Sequence, residues 1–283
     1  MIYSKRMKGK KLRPFTHRIY TDFSGDDGDP RTPGASKCLC GAWILSAEKD
    51  IRYNEGIVLQ IKKLINCKPI DELKYKTLKK HAKKMEALNL LSQVKAKIIL
   101  NPVIKSKIDD NSIRAPKTKR LLTIMHGFPL LRFMKHLSAE SPNFYLQLIV
   151  DEMSWSGYAD VIRENFKGLN VDWTQVRDDW LYFAKSGNSL MLQLADVVAG
   201  LGFEYIEDLQ ERKLPPCRIC NLAHWGNCNF KRHKQLIGHN RLIKAVYPSL
   251  LRDESGKFFE QGFIVRPPGV EVDYLFVECL QRK

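Results

Sequence analysis

The sequence predicts an α/β fold: a sheet flanked by helices, carrying a helical insertion and a Cys/His-containing C-terminal extension. Three observations lead there. Residues 17–23, HRIYTDF, alternate in polarity and are rich in β-branched and aromatic side chains, which marks a strand. CLCGAWILSA (38–47) and NFYLQLIV (143–150) are near-continuous apolar runs, and the second is of the kind buried on both faces of a sheet. SLMLQLADVVAGLGFEYIED (189–208) is too long and too apolar for anything but a buried helix. Strands interleaved with helices give the α/β class.

The elements follow in order. Residues 1–16 read as a loose basic arm. After the first strand, SGDDGDPRTPG is a turn-rich loop leading to the second. Residues 51–67 fit either a strand followed by a helix or a helix throughout. Residues 71–97 favour one helix, with Asp71 and Glu72 at its front and lysines after them at helical spacing. KIILNPVI (97–104) is a short strand or buried segment. RAPKTKRLLTIMHGFPLLRFMKHL gives a turn and then a helix broken before Pro129. Residues 157–168 form an amphipathic helix. Past residue 208 come the Cys/His segment, a helix near 234–246, and strand-like GFIVR and YLFVE. The division is a basic arm at 1–16, a main domain at 17–208 with a basic helical insertion at about 71–142, and an extension at 209–283.

Composition narrows the function. Of 283 residues, 44% are apolar and 28% charged, enough for a sizeable core. No stretch approaches the roughly 18 uninterrupted apolar residues of a membrane span. The basic N-terminus has no apolar run behind it, so it does not read as a secretory signal. Seven cysteines in a chain of this length do not make a disulfide scaffold, so a cytoplasmic location is expected. The net charge of +16 is lopsided. Residues 1–120 hold 28 Lys and Arg against 12 Asp and Glu, while the remainder balances at 19 of each. A polyanion such as nucleic acid is the partner this implies, because each cation near a phosphate releases condensed counterions. A solvated basic face serving solubility is the alternative.

Three acids stand where apolar packing would avoid them. Asp22 ends the strand IYTD, Asp151 ends LQLIVD, and Asp196 interrupts LMLQLADVVAG. An ionised carboxylate in apolar surroundings costs several kcal/mol unless it is paired or bound to a cation. Strand-end carboxylates meet at the carboxyl edge of a sheet, where α/β proteins place their sites. Gln193, Asp196 and Gly200 share one helix face, and Ala195, Ala199 and Gly200 are small enough to let that helix approach the sheet. Each acid alone also reads as a turn former, a cap or an ion-pair partner. The conjunction of three is what points to a site.

Four segments, IYTDFSGD (19–26), ELKYKTL (72–78), IVDE (149–152) and SLMLQLADVVAG (189–200), occur in an order that resembles the bacterial and phage proteins grouped as domain of unknown function 3800. The resemblance spans roughly residues 17–208. It implies a fold similar to RNase H and four acids holding two divalent metals: Asp22 on the first strand, Glu72 before the basic helix, Asp151 on the central strand and Asp196 on the closing helix. One departure is clear. The family's Asp-Glu-Ser-Gly reads Asp-Phe-Ser-Gly here, and neighbouring strand residues face opposite ways, so Phe23 should point away from Asp22.

Such a site would be a divalent-metal-dependent nuclease. Two Mg²⁺ or Mn²⁺ ions roughly 3.5–4 Å apart activate a water and stabilise the leaving oxygen of a phosphodiester. On this expectation Asp22 bridges both ions, Glu72 and Asp151 hold one, and Asp196 holds the other. Lys74 would sit against the substrate phosphate or else be a solvated lysine. Gln193 and Ser186 would orient ligands or touch the sugar. Lys76, Lys79, Lys80, Lys83 and Lys84, with Lys117, Lys119 and Arg120, offer a phosphate-tracking face, and 76, 80, 83 and 84 are expected on one side of a helix. A plain solvated face is the alternative.

Cys217-x2-Cys220-x3-His224-x3-Cys228 could hold a structural Zn²⁺, with Lys231, Arg232 and His233 following. It resembles a compressed zinc knuckle whose last two gaps are each one residue short, and a set of reduced cysteines fits as well. Cys38 and Cys40 are read as one core and one surface residue. Two other readings stand beside the nuclease: a nucleic-acid-binding subunit whose acid cluster is structural, and a protein-interaction component of a phage-defence or mobile-element system that docks a protein partner through the segment after 208.

Overall fold

The computed structural model describes residues 14–26, 31–105, 123–140, 143–152, 163, 176–211, 245–256, 262 and 264. Among these, five strands form one mixed sheet: β1 (His17–Ser24), β2 (Cys38–Ala47), β3 (Lys97–Ile104), β4 (Leu146–Asp151) and β5 (Val176–Ala184). The spatial order is β3-β2-β1-β4-β5. β1 pairs antiparallel with β2, and β2 antiparallel with β3, while β1–β4 and β4–β5 are parallel. The helices are α1 (Ile51–Leu64), α2 (Tyr75–Lys79), α3 (Lys84–Leu91), α4 (Phe128–Glu140) and α5 (Leu190–Glu211).

Alternation along the strands divides the core into two faces. Tyr20, Ala42, Ile44, Ile98, Leu100 and Ile149 pack beneath α1, α2, α3 and α5. Ile19, Trp43, Leu45, Ile99, Leu148 and Val150 face α4 through Leu130, Phe133, Met134 and Leu137. The expected mixing of strands and helices is therefore observed, with helices on both faces of the sheet.

β2 matches its apolar run, β4 starts three residues later than the run 143–150 and ends on Asp151, and residues 51–64 are helical from their start. Asn54 holds α1 in place: its side chain donates to the Ser46 hydroxyl and the Lys95 carbonyl (both 3.0 Å) and accepts the Lys95 N–H (2.8 Å). Cys38 and Cys40 correct their reading. Two residues apart on a strand, they share one face, and both are buried in the α5-side core. The outer edge of β3 is covered by later chain: Leu251 N–H donates to Ile98 O (2.9 Å), Leu100 N–H to Gly262 O and Ile264 N–H to Leu100 O (both 2.8 Å). This leaves that edge paired rather than open.

The fold departs from the sequence reading in two further elements. β5 was not anticipated, because VRDDWLYFA opens with charged residues and its apolar half is only five long. The single helix over 71–97 is instead two short ones, α2 and α3, with extended chain before them. Its first N–H groups are used elsewhere: Leu73 N–H donates to Gln193 Oε1 (3.0 Å) and Tyr75 N–H to Asp196 Oδ2 (2.6 Å). A second break follows α2, where the His81 ring accepts the Lys83 N–H (3.1 Å). Glu72 and Lys74 are consequently not helical, and the lysines do not share one continuous helix face. Pro129 lies inside α4 at its second position, after a π-turn over Thr123–Gly127, where a missing N–H costs nothing. The basic arm through residue 13, the helix at 157–168 apart from Arg163, most of the helix near 234–246 and YLFVE lie outside the described residues.

Candidate functional site

The parallel pairing of β1 with β4 runs from His17↔Leu146 to Thr21↔Val150, which brings Asp22 and Asp151 side by side at the carboxyl edge. Both fall on the α5 side, by alternation from Tyr20 and Ile149. Both are buried, at 7% and 6% exposure. α5 crosses that face and presents Asp196. Its close approach depends on glycine: a Cβ at Gly202 would meet Cys40 Sγ at 2.8 Å and Leu100 at 2.9 Å. Gly200, expected to face the sheet, instead receives the Tyr75 ring, which a Cβ there would meet at 2.4 Å. Phe23 points away from Asp22 as expected, lying against Gly41 and edge-on to His126 with ring centres 5.1 Å apart.

The acids feel one another. Burial, then the charges of Asp196 and Asp151, push the Asp22 carboxyl up to about 8, against the partial relief of the Phe23 N–H (2.7 Å) and Lys74. Asp196 is also raised, first by burial and further by Glu72 and Asp151, while the Tyr75 N–H and Lys74 lower it. Lys74 is raised overall: burial works against its charge, but Glu72, Asp196 and Asp22 outweigh it. Its ammonium lies 2.8 Å from Glu72 Oε1. Clustered carboxylates beside the Lys74 ammonium favour either bound protons or a bound cation.

A hydrogen-bonded framework holds the set. The turn Ser186–Asn188 links β5 to α5, and Ser186 N–H donates to Asp151 Oδ1 (3.2 Å) while its hydroxyl donates to Glu72 Oε1. Gln193 Nε2 donates to Ser186 O (3.1 Å) and Gln193 Oε1 accepts Leu73 N–H, so one side chain spans both segments that flank the acids. Lys62, 2% exposed, donates a second bond to Gln193 Oε1 (3.2 Å) and another to Pro69 O (2.7 Å). Tyr75 completes the clamp: its hydroxyl donates to Glu204 Oε2 (2.6 Å), which also receives Lys84 (3.1 Å to Oε1). Lys62, Tyr75 and Glu204 were not picked out from sequence. Tyr75 stands in the segment 72–78 and Glu204 four residues past the segment 189–200, and only the fold pairs them.

The structure thus brings together Asp22, Asp151, Asp196, Glu72 and Lys74. Oxygen donors of this kind suit a hard divalent cation. As they stand, however, no group of three or more His, Cys, Asp or Glu side chains among the described residues is arranged to hold a metal ion. The carboxylates are turned to their own donors: Glu72 to Lys74 and Ser186, Asp196 to Tyr75, Asp22 to Phe23. The donor chemistry fits a hard cation.

Of the basic residues, Lys76, Lys79, Lys80 and Lys83 are exposed. Lys79 (3.6 Å) and Lys84 both pair with Glu204, so two of the five lysines are partly neutralised. Lys117, Lys119 and Arg120, and the whole set Cys217, Cys220, His224 and Cys228, lie outside the described residues. No helix among the described residues is long and apolar enough to cross a membrane. Neither a protein-family model nor a curated protein matches the chain.

Proposed function

We propose that this chain is a divalent-metal-dependent nuclease of RNase H-like fold, hydrolysing phosphodiester bonds of nucleic acid. The observation that carries the reading is the convergence of strand-end Asp22 and Asp151 with helix-borne Asp196, close enough for each charge to raise the proton affinity of a neighbour. Such a set is costly to keep ionised without a cation. The mixed sheet with parallel central strands, and the ordered motifs around 22, 72, 151 and 196, support the same reading.

Asp22, Glu72, Asp151 and Asp196 would hold Mg²⁺ or Mn²⁺. When bound, the metal supplies an activated water and neutralises charge on the leaving oxygen. Lys74, beside Glu72, would contact a substrate phosphate. Ser186 and Gln193 fix where Glu72 and Asp151 stand. Lys76, Lys80 and Lys83, which are exposed, would contact backbone phosphates.

The binding-subunit reading keeps one specific observation in its favour: Glu72 is engaged by Lys74 and Ser186 rather than open to a cation. Cleavage of single-stranded RNA, RNA–DNA hybrid, and single- and double-stranded DNA, each with Mg²⁺, Mn²⁺ or EDTA, separates the two. The nuclease reading expects metal-dependent cutting that falls by about 10²-fold or more in Asp196→Asn. Salt-sensitive binding without cutting, unchanged by the mutation, selects the binding subunit.

A further inference from the structure

Lys62 is 2% exposed and ranks among the largest fully buried side chains of the described residues. Burying an ammonium is costly even when it is well bonded. Its two hydrogen bonds here go to neutral oxygens, Pro69 O (2.7 Å) and Gln193 Oε1 (3.2 Å). An apolar chain of similar length would fill the same space without that cost. Stability alone is therefore a poor account of a lysine at this position.

What the two acceptors hold gives a better one. Residues 65–74, which carry Glu72, belong to no helix or strand. Pro69 stands three residues before Glu72. Gln193 Oε1 also accepts the N–H of Leu73, the residue after Glu72 (3.0 Å). One ammonium thus ties down the chain on both sides of this acid. The main chain of Lys62 contributes as well: its carbonyl accepts the Cys67 N–H (2.8 Å) where α1 ends, with Asn66 in the left-handed region (φ 55°). Asp71 N–H closes the turn onto Lys68 O (3.1 Å). Removing the ammonium strands neither acceptor, because Pro69 is exposed to water and Gln193 Oε1 keeps the Leu73 N–H.

We propose that Lys62 is a positioning residue for the acid cluster: its buried ammonium fixes the non-helical chain bearing Glu72, so that this carboxylate can join Asp22, Asp151 and Asp196 around a divalent cation. The proposal rests on the reading of those acids as a cation site.

Calorimetric titration of the full metal-free chain with Mn²⁺ at pH 8 tests it, using the parent, Lys62→Met, Glu72→Gln, the double variant and, as a control at the acids, Asp196→Asn. Thermal melts establish that each is folded. The expected result is that Lys62→Met melts near the parent but binds Mn²⁺ tenfold or more weakly, and that the double variant binds no more weakly than Glu72→Gln alone. Lys62→Gln, still a donor but shorter, is carried through the same comparison in case Lys62→Met does not fold, and should weaken binding in the same way. Parent-like Mn²⁺ binding by the folded Lys62 variants overturns the proposal. So does a further loss in the Glu72→Gln background, which would place the action of Lys62 elsewhere, or failure of both Lys62 variants to fold, which would make the ammonium a stabilising group. A parent that binds no Mn²⁺, or binds it as tightly after Asp196→Asn, overturns the acid-site reading and this proposal with it.

Discussion

Gln193 shows how one residue sets this site. Its amide joins the extended chain bearing Glu72 to the turn bearing Ser186, and it also receives the buried Lys62 ammonium. Gln193→Ala strands the buried Leu73 N–H and leaves Lys62 with Pro69 O alone of these two acceptors, so it should cost about 1–3 kcal/mol, read as a lowered denaturation midpoint. Gln193→Glu should be milder, because it keeps an acceptor for both donors. Equal stability of Gln193→Ala and the parent would refute this role. At this scale the sequence was informative where chemistry clashed with surroundings: Asp22, Asp151 and Asp196 were conspicuous because apolar runs led into or around them. Lys62 and Tyr75 were not, since a lysine among lysines and a tyrosine in an ordinary helix acquire meaning only from tertiary partners.

Among the elements, α5 is the one whose fit to its neighbours is tightest. Gly202 admits Cys40 and Leu100 of the sheet, and Gly200 admits the Tyr75 ring. A methyl group at Gly200 would push Tyr75 outward and strain its N–H bond to Asp196. Gly200→Ala should therefore destabilise by about 1–3 kcal/mol despite the better helix propensity of alanine. A melting temperature at or above that of the parent would contradict the packing described here. The central strands were legible because apolar runs cover most of their hydrogen-bonded length, although β4 starts three residues inside its run. The region 71–97 was not, because its helical spacing is real for Tyr75–Lys79 and Lys84–Leu91 but its leading backbone donors are claimed by α5. β5 was missed because only its second half has strand character.

Over the whole molecule, the α/β class was legible from the alternation of apolar runs and amphipathic segments, and the buried acids give it a stability that depends on pH. The folded carboxyl of Asp22 is raised from 3.8 to about 8. Between those values the folded state holds a proton that the unfolded state has lost, so stability falls as pH rises through that window and levels off above it. Asp196, raised in the same direction, adds to the trend. Melts in EDTA should therefore show the chain losing stability from about pH 5 to pH 8 through these groups. Asp22→Asn should remove part of that slope and raise the melting temperature at pH 8 by several degrees. A slope unchanged by the mutation would show that Asp22 is not the group responsible.

The most direct test of the central claim is calorimetric titration of the metal-free protein with Mn²⁺ at pH 8, for the parent, Asp22→Asn and Asp196→Asn. Buried, mutually repelling carboxylates that form a cation site predict saturable binding by the parent, with affinity lowered by about tenfold or more in each variant. No binding by the folded parent, or binding that both substitutions leave unchanged, would contradict it.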